Sequence, residues 1–537
     1  MRFLFSYLSP SKKKMTGGFI IKFFATVIEL FLPVILSHIL DKVIVGLNVY
    51  EVVFYGGLMI VCSALALILN IIANRTAAFV AKDFSVKLRQ DLFERTLNLS
   101  AKDTDIYTIP SLEARITTDT YNTYTFILMV QRLGVRAPIL FVGGMIISFI
   151  MDSFLALVML ITLPLITLTV YFVSKNGIPL YGRVQKSVDG MVRVVREDVQ
   201  GIRVIKALFK NEYENARYDK VNKKLSKDEI KAGALASSIN PIMTLLMNLG
   251  IVAVIFLSAN RVANGTSSSA TVIAFVQYFT IISMAMMALS RMFVIYTRAS
   301  ASSKRIEEII KTPERYLTID SQKEEKDYLV FENVTFSYLN KKNNLEKISF
   351  SLKEGQTLGI IGATGSGKST LIKLLLRFYE PNEGRILIDG KDIRSILKDG
   401  YYDRFGVCLQ NDFLYNDTIE ENIKFGRDIL KEDVIKATKT AMAYDFIMQK
   451  EDGFNYVLSQ KATNISGGQK QRLLIARAIA NNPEILIFDD SSSALDYKTD
   501  AKLRANLKEN LSAKMVITVA QRVSTIKDCD LILASVL

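Results

Sequence analysis

Apolar residues dominate the first 295 positions, gathered into runs long enough to cross a bilayer, and charged residues are shared unevenly between the runs. A membrane-spanning helix needs about 20 mostly apolar residues. Six stretches qualify: Phe19–Val43, Val52–Ala73, Ala137–Met151, Phe154–Ser174, Pro241–Ala263 and Thr271–Ile295. The third is short by itself, and its pattern begins earlier, near Phe126. The connections Gly46–Glu51, Met151–Ser153 and Asn264–Ala270 carry no Lys or Arg, whereas Asn74–Arg136 and Lys175–Asn240 are rich in both. Retention of positive charge on the cytoplasmic side therefore places the two long segments, and both termini, inside. Those segments are themselves helical in period. Val86, Leu88, Leu92, Phe93 and Leu97 recur at i, i+3, i+4 spacing, as do Val192, Val195, Val199, Ile202, Ile205 and Leu208. The spans are thus expected to continue as long helices beyond the bilayer. Charged, strand-rich sequence follows. The expected division is a membrane domain over 1–310, a linker over 311–328 and a second domain over 329–537.

The second domain carries the strongest chemical signal. Gly362-Ala363-Thr364-Gly365-Ser366-Gly367-Lys368-Ser369 fits G-x-x-x-x-G-K-[ST]. A short apolar strand, Thr357–Ile361, precedes it, and Thr370–Leu376 opens a helix. Glycines let backbone amides wrap phosphates, and the helix N-terminus adds partial positive charge. Lys368 is placed to reach the terminal phosphates of ATP and Ser369 to ligate Mg²⁺. About 120 residues later, Ile485-Leu486-Ile487-Phe488-Asp489-Asp490 reads as a buried strand that delivers Asp489 toward the same metal ion.

Between these lies Asn464-Ile465-Ser466-Gly467-Gly468-Gln469, followed by a helix. Here the chain resembles the ATP-binding cassette (ABC) transporters, whose signature is normally LSGGQ; Ile465 replaces its Leu. The resemblance assigns Tyr338 to adenine stacking, Gln410 to the Q-loop and Ser493-Ala494-Leu495-Asp496 to the D-loop. It extends over nearly the whole chain, since six spans with long cytoplasmic extensions look like a type IV, MsbA-like exporter half-subunit. That implies an all-α membrane domain joined to an α/β P-loop domain. It also implies two cassettes stacked head to tail, with ATP between one subunit's loop (Gly362, Thr364 to Ser369, Thr370) and the other's signature (Ser466 to Gln469). Segments near Ala114–Tyr121 and Asn211–Lys220 would be the coupling helices that dock on the cassettes.

The sequence departs from that pattern at the catalytic positions. Active cassettes carry a Glu after the magnesium Asp, where this chain has Asp490, one methylene shorter. A displacement of about 1 Å can cost roughly a hundredfold in rate. The family's switch histidine is replaced by Gln521 in Ala520-Gln521-Arg522-Val523-Ser524-Thr525, and the only histidine, His38, lies in the first span. An amide can hydrogen-bond a phosphate but carries no proton or charge. The two losses match the degenerate-site chain of a heterodimeric multidrug-type exporter, whose partner supplies the Glu and His. A slow homodimer in which Asp490 still works, and a regulatory ATP-binding subunit that transports nothing, are the alternatives. The family also continues with a strand, a turn and helices after Asp530-Leu531-Ile532-Leu533, so a cassette ending at Leu537 reads as truncated.

Composition narrows the rest. A net charge of +14 could serve nucleic acid, but the basic residues form no aromatic-interleaved patch, and cytoplasmic retention accounts for them. Cys62, Cys408 and Cys529 are too scattered for a disulfide framework or zinc site. Met1 to Lys14 is basic without a cleavage pattern, so it reads as an amphipathic entry to the membrane. Glu29 and Lys22, two turns apart, either line an aqueous cavity or serve packing and the headgroup region. Met284, Met286, Met287 and Met292 give the last span an adaptable face that equally suits packing. Drugs, lipids and peptides stay undistinguished as substrates, although the lack of a peptidase-like leading domain weighs against a leader-cleaving peptide exporter. The half-transporter layout and Lys-rich composition point to a bacterial cytoplasmic membrane.

Overall fold

A computed structural model describes residues 2–44, 46, 49–264, 267–313, 319–320, 323–324, 326–338, 343–363, 365–410, 412–491, 495–510 and 513–535. The chain divides into two compact units. The first comprises Met1–Leu97 and Ile109–Thr312, and the second comprises Asn98–Thr108 and Pro313–Leu537.

In the first unit six long helical stretches, Ser9–Val43, Val49–Leu97, Ile109–Met151, Ser153–Gln200, Asn211–Ala263 and Ser269–Ile310, are each apolar enough to cross a membrane. They exceed the apolar runs because amphipathic sequence carries the helices on past them, and the third starts upstream of Phe126. Three pairs pack most closely: first with second, third with sixth, and fourth with fifth. Small residues let them approach. A Cβ on Gly250 would lie 2.4 Å from the Phe279 ring, and one on Gly143 would lie 2.6 Å from Leu30. Tyr278, Phe275, Ile282, Leu155 and Met159 form the buried centre, where the Tyr278 hydroxyl donates to the Leu30 carbonyl. The outward faces expose Phe54, Ile60, Val61, Leu67 and Ile161, a surface suited to lipid rather than to water. At the Lys-poor end, Asp152 caps the fourth helix through the Phe154 and Leu155 amides and pairs with Arg261 at 3.3 Å. At the Lys-rich end, the buried Asp119 accepts from Arg305 and Ser302 on the sixth helix.

That last contact ties Ala114–Tyr121 to the sixth helix of its own unit. The segment that belongs with the second unit is Asn98–Thr108, whose helix Ala101–Tyr107 starts at Ser100, the side chain of which accepts from the Asp103 amide. Asn211–Lys220 is the start of the fifth long helix, and the chain turns just before it, through Gly201 and the left-handed Phe209.

The second unit holds two sheets. The strands are β1 (Leu329–Phe336), β2 (Leu345–Leu352), β3 (Thr357–Gly362), β4 (Glu383–Ile388), β5 (Lys391–Asp392), β6 (Phe405–Cys408), β7 (Ile485–Asp489), β8 (Met515–Val519) and β9 (Leu531–Ser535). One sheet is antiparallel, in order β2-β1-β4-β5; the other is parallel, in order β6-β7-β8-β3-β9. β7 is buried along its whole length, as expected of a strand reading Ile-Leu-Ile-Phe-Asp. One apolar core joins the two sheets, and a second lies under the helix Gly467–Ile479. Ala101 packs against the first of these cores, and the Tyr379 hydroxyl donates to Asp105, which seats the Asn98–Thr108 segment on its own cassette.

Orientation follows from the charge asymmetry. Cysteines placed at exposed Ser153 and Glu212, read above the signal of the three native cysteines, should behave oppositely. A membrane-impermeant maleimide applied to intact cells should label Ser153→Cys, and Glu212→Cys only after permeabilisation. The reverse pattern would invert the topology.

Candidate functional site

The carboxyl ends of four neighbouring parallel strands converge, and ligand sites in open α/β sheets form at such ends. β3 runs into the glycine-rich loop, β7 ends on Asp489, β8 leads to Gln521, and β6 leads to Gln410. The register holds them level. Asp489 is opposite Val519, Val519 is opposite Ile360, and the Ala520 amide donates to the Ile360 carbonyl at 3.0 Å.

The loop is built for close backbone approach. Gly365 and Gly367 have φ of +90° and +86°, a region that L side chains rarely enter. A Cβ at Gly367 would also lie 2.8 Å from Leu345, so glycine is required there on two counts. Gly367 caps the helix Lys368–Leu375, whose first-turn amides face the loop. The Lys368 ammonium donates to the Gly362 and Ala363 carbonyls, each at 2.8 Å, which curls the loop around its own cation. Thr364 lies outside the described residues, as do Ser493 and Ala494 of the D-loop.

The acidic pair divides in environment. Asp489 is buried beside the Ser369 hydroxyl. Burial pushes its carboxyl up from the usual range and the Asp490 charge adds to that, while the Ser369 hydrogen bond and Lys368 oppose it. Asp490 sits in the left-handed region at φ +52°. One of its oxygens accepts from the Gln521 side chain at 2.9 Å, and the Gln410 amide lies 3.5 Å from the same oxygen. The structure thus brings together three residues that are 80 and 31 positions apart in sequence. Ser369, Asp489 and Gln410 offer hard oxygen donors, a set that suits Mg²⁺.

The aromatic Tyr338 is half-buried. Its hydroxyl donates to Thr370 in the loop's helix at 3.2 Å, and its ring meets Tyr379 edge-on at 5.0 Å. The Lys373 ammonium lies over the same ring at 5.6 Å. Tyr379 is a participant the sequence did not single out, since it lies in an ordinary apolar run after the loop helix. Ser100-Ala101-Lys102-Asp103 was legible in principle, as Ser three residues before an acid marks a helix start.

The signature residues lie elsewhere in the unit. Ser466 caps the helix Gly467–Ile479, accepting from the Gln469 amide, while the Gln469 side chain accepts from the Ser466 amide. Asn464 fixes the approach through Ser459 and Val457. Ile465 packs on the second apolar core, the place a Leu would fill. The helix start presents Ser466 and Gly467 outward, exposed.

Comparisons with known proteins agree with this arrangement. The profile of the ABC transporter transmembrane region matches residues 15–286, and that of the ABC transporter matches residues 345–493. The uncharacterized ABC transporter ATP-binding protein YfiB of Bacillus subtilis (strain 168) is 32% identical over 537 residues, covering 98% of this chain and 92% of that protein. The putative ABC transporter ATP-binding protein MG014 of Mycoplasma genitalium is 33% identical over 499 residues, covering 88% of this chain and 80% of its own length. Among solved structures, a bacterial Atm1-family ABC exporter with ATP bound shares the fold, with a TM-score of 0.82 at 23% identity over 98% of this chain and 93% of that one.

The loop geometry generates a binding prediction. Lys368→Ala should weaken ATP binding about tenfold or more, the loss expected for charge-assisted phosphate contacts. Tyr338→Ala should cost less, since only base stacking is removed. Titration of the purified chain with a fluorescent ATP analogue measures both, and an unchanged affinity in Lys368→Ala would show that the loop has been misread.

Proposed function

The chain belongs to the ABC transporter family, and on that premise we propose that it is the weakly hydrolytic half of a heterodimeric exporter. Two such halves form one transporter. ATP at this chain's own site is held by Tyr338 at the base and by Gly362, Thr364, Gly365, Ser366, Gly367, Lys368, Ser369 and Thr370 at the phosphates. Ser369, Asp489 and Gln410 hold Mg²⁺, which when bound neutralises phosphate charge. The outward Ser466–Gln469 helix start is offered to the partner's nucleotide, where its amides meet the terminal phosphate.

The observation that carries the degenerate-site reading is the Asp490–Gln521 pair. A carboxylate at that position polarises attacking water only if one of its oxygens is correctly placed toward that water. Asp490 is one methylene shorter than the usual Glu, and one of its oxygens is occupied by an amide that cannot relay a proton. Its role is to hold Gln521 and Gln410 in place and so retain ATP, while the partner contributes turnover. The Asn98–Thr108 segment rides on this chain's own cassette. The turn before Asn211, where Val204, Leu208 and Phe209 are 60%, 64% and 86% exposed, is the segment offered to the partner's cassette. The setting is a bacterial cytoplasmic membrane with both termini inside, and the cargo is a hydrophobic or amphipathic molecule.

The division of labour is testable by steady-state ATPase of the purified complex with substitutions in this chain only. Ser466→Arg or Gly468→Asp should abolish nearly all turnover, because a bulky charged group blocks closure over the partner's phosphate. Asp490→Asn should do much less. If Asp490→Asn abolished turnover as completely, Asp490 would be a working base and the slow homodimer would be the better account.

A further inference from the structure

Asn98–Thr108 joins two of the long helices, Val49–Leu97 and Ile109–Met151, yet packs with the cassette. Its helix Ala101–Tyr107 is anchored at two points. Ala101 packs against the core that joins the two sheets, and the exposed Asp105 carboxylate accepts from the Tyr379 hydroxyl. Tyr379 is buried. Burial and the neighbouring carboxylate both push its hydroxyl pKa up, so the group stays protonated and donates.

The Tyr379 ring also sets the plane of Tyr338. The two rings meet at 5.0 Å and 88°, and Phe336 meets Tyr338 at 4.9 Å and 82°. Two edge-on contacts hold a ring in one orientation. At its tip the Tyr338 hydroxyl donates to Thr370 at 3.2 Å, next to Ser369. The Lys373 ammonium lies 5.6 Å from the centre of the Tyr338 ring and 6.0 Å from that of Tyr379, an attraction that draws on both. A continuous set of contacts therefore runs from Asp105 through Tyr379 and Tyr338 to Thr370. A ring whose plane is already set gives up less freedom when a base stacks on it.

We propose that Tyr379 and Asp105 are positioning residues for the adenine base, and that Asn98–Thr108 is a base-sensing segment: a purine stacked on Tyr338 tightens the docking of this segment, and the docked segment tightens purine binding. The two effects are one coupling and must be reciprocal. Phosphate contacts at Lys368 and Ser369 are common to all nucleoside triphosphates and do not require Tyr379. The segment thus responds to the base rather than to the phosphates. This rests on the reading of Tyr338 as the base platform.

The test uses the complex purified through a tag on this chain. Labelling with 8-azido-ATP is competed with unlabelled ATP or CTP, and the half-competing concentrations are read on this chain alone after the complex is resolved. ATP should compete better than CTP, whose single ring stacks over less area. Tyr379→Phe, which removes only the hydroxyl, and Asp105→Ala should each weaken ATP about threefold, the scale of one lost hydrogen bond, while moving CTP much less. Asp105→Asn keeps an acceptor and should keep the ATP preference. The reciprocal measurement is amide hydrogen exchange of Asn98–Thr108. Saturating ATP should slow it more than saturating CTP, and Tyr379→Phe should erase that difference. Equal losses for ATP and CTP would make the hydroxyl a purely structural tie, and unchanged ATP affinity in both variants would leave it no role. Either overturns the proposal, as does exchange in Asn98–Thr108 that ignores the base. Tyr338→Ala separates this inference from the reading beneath it. If that variant keeps the ATP preference, the base does not sit on Tyr338 and the site reading falls. If it loses the preference while Tyr379→Phe retains it, only this inference falls.

Discussion

The level register of β3, β7 and β8 is the constraint on which the nucleotide end of the chain depends. Parallel pairing aligns Ile360 with Val519 and Val519 with Asp489, so three chain reversals occur at one edge of one sheet. A shift of a single residue would reverse the side-chain faces along a strand and would turn Asp489 away from Ser369. The uniformly apolar β7 secures that register, because it is buried on both faces between its neighbours. Tight packing adds to it. A Cβ on Gly406 in β6 would lie 2.1 Å from the Ala478 carbonyl, so the sheet and the signature helix are in close contact through that glycine.

A different constraint governs the membrane unit, where backbone polar groups must be satisfied inside each helix and side-chain polarity is confined to the interior. Small residues and ring contacts hold the pairs together, and charged ties appear at both ends: Asp152 with Arg261 at one, Asp119 with Arg305 at the other. Between them lies the Lys22–Asn70–Glu29–Arg136 cluster. Its members come from three helices, so its hydrogen bonds tie all three together.

Much of this was legible in the sequence. The glycine-lysine loop needed only its flanking strand and helix to be recognised, and the six apolar runs with their charge-poor and charge-rich connections gave span number and expected orientation. The departures at Asp490 and Gln521 from the family pattern were visible, and a single histidine in the chain excludes a displaced one. What escaped was tertiary. Nothing along the chain says that Gln410 and Gln521 converge on one oxygen of Asp490, or that Tyr379 backs Tyr338, since strand order is not written locally. That Asn98–Thr108 belongs with the second unit also escaped, because amphipathic spacing continues smoothly through Leu97 and hides the short break that Ser100 caps. Lys22 and Glu29 were seen two turns apart, but their partners Asn70 and Arg136 lie on other helices and could not be inferred from spacing.

The central claim is that this chain keeps ATP intact at its own site while the complex turns over. Photolabelling separates the cases. The complex is cycled with 8-azido-ATP carrying the radiolabel on either the α- or the γ-phosphate, washed, irradiated, and resolved into its chains. Both labels should remain on this chain in equal measure, because unhydrolysed nucleotide is retained beside Asp490 and Gln521. Retention of the α-label with loss of the γ-label would show that Asp490 supports hydrolysis, and would contradict the account.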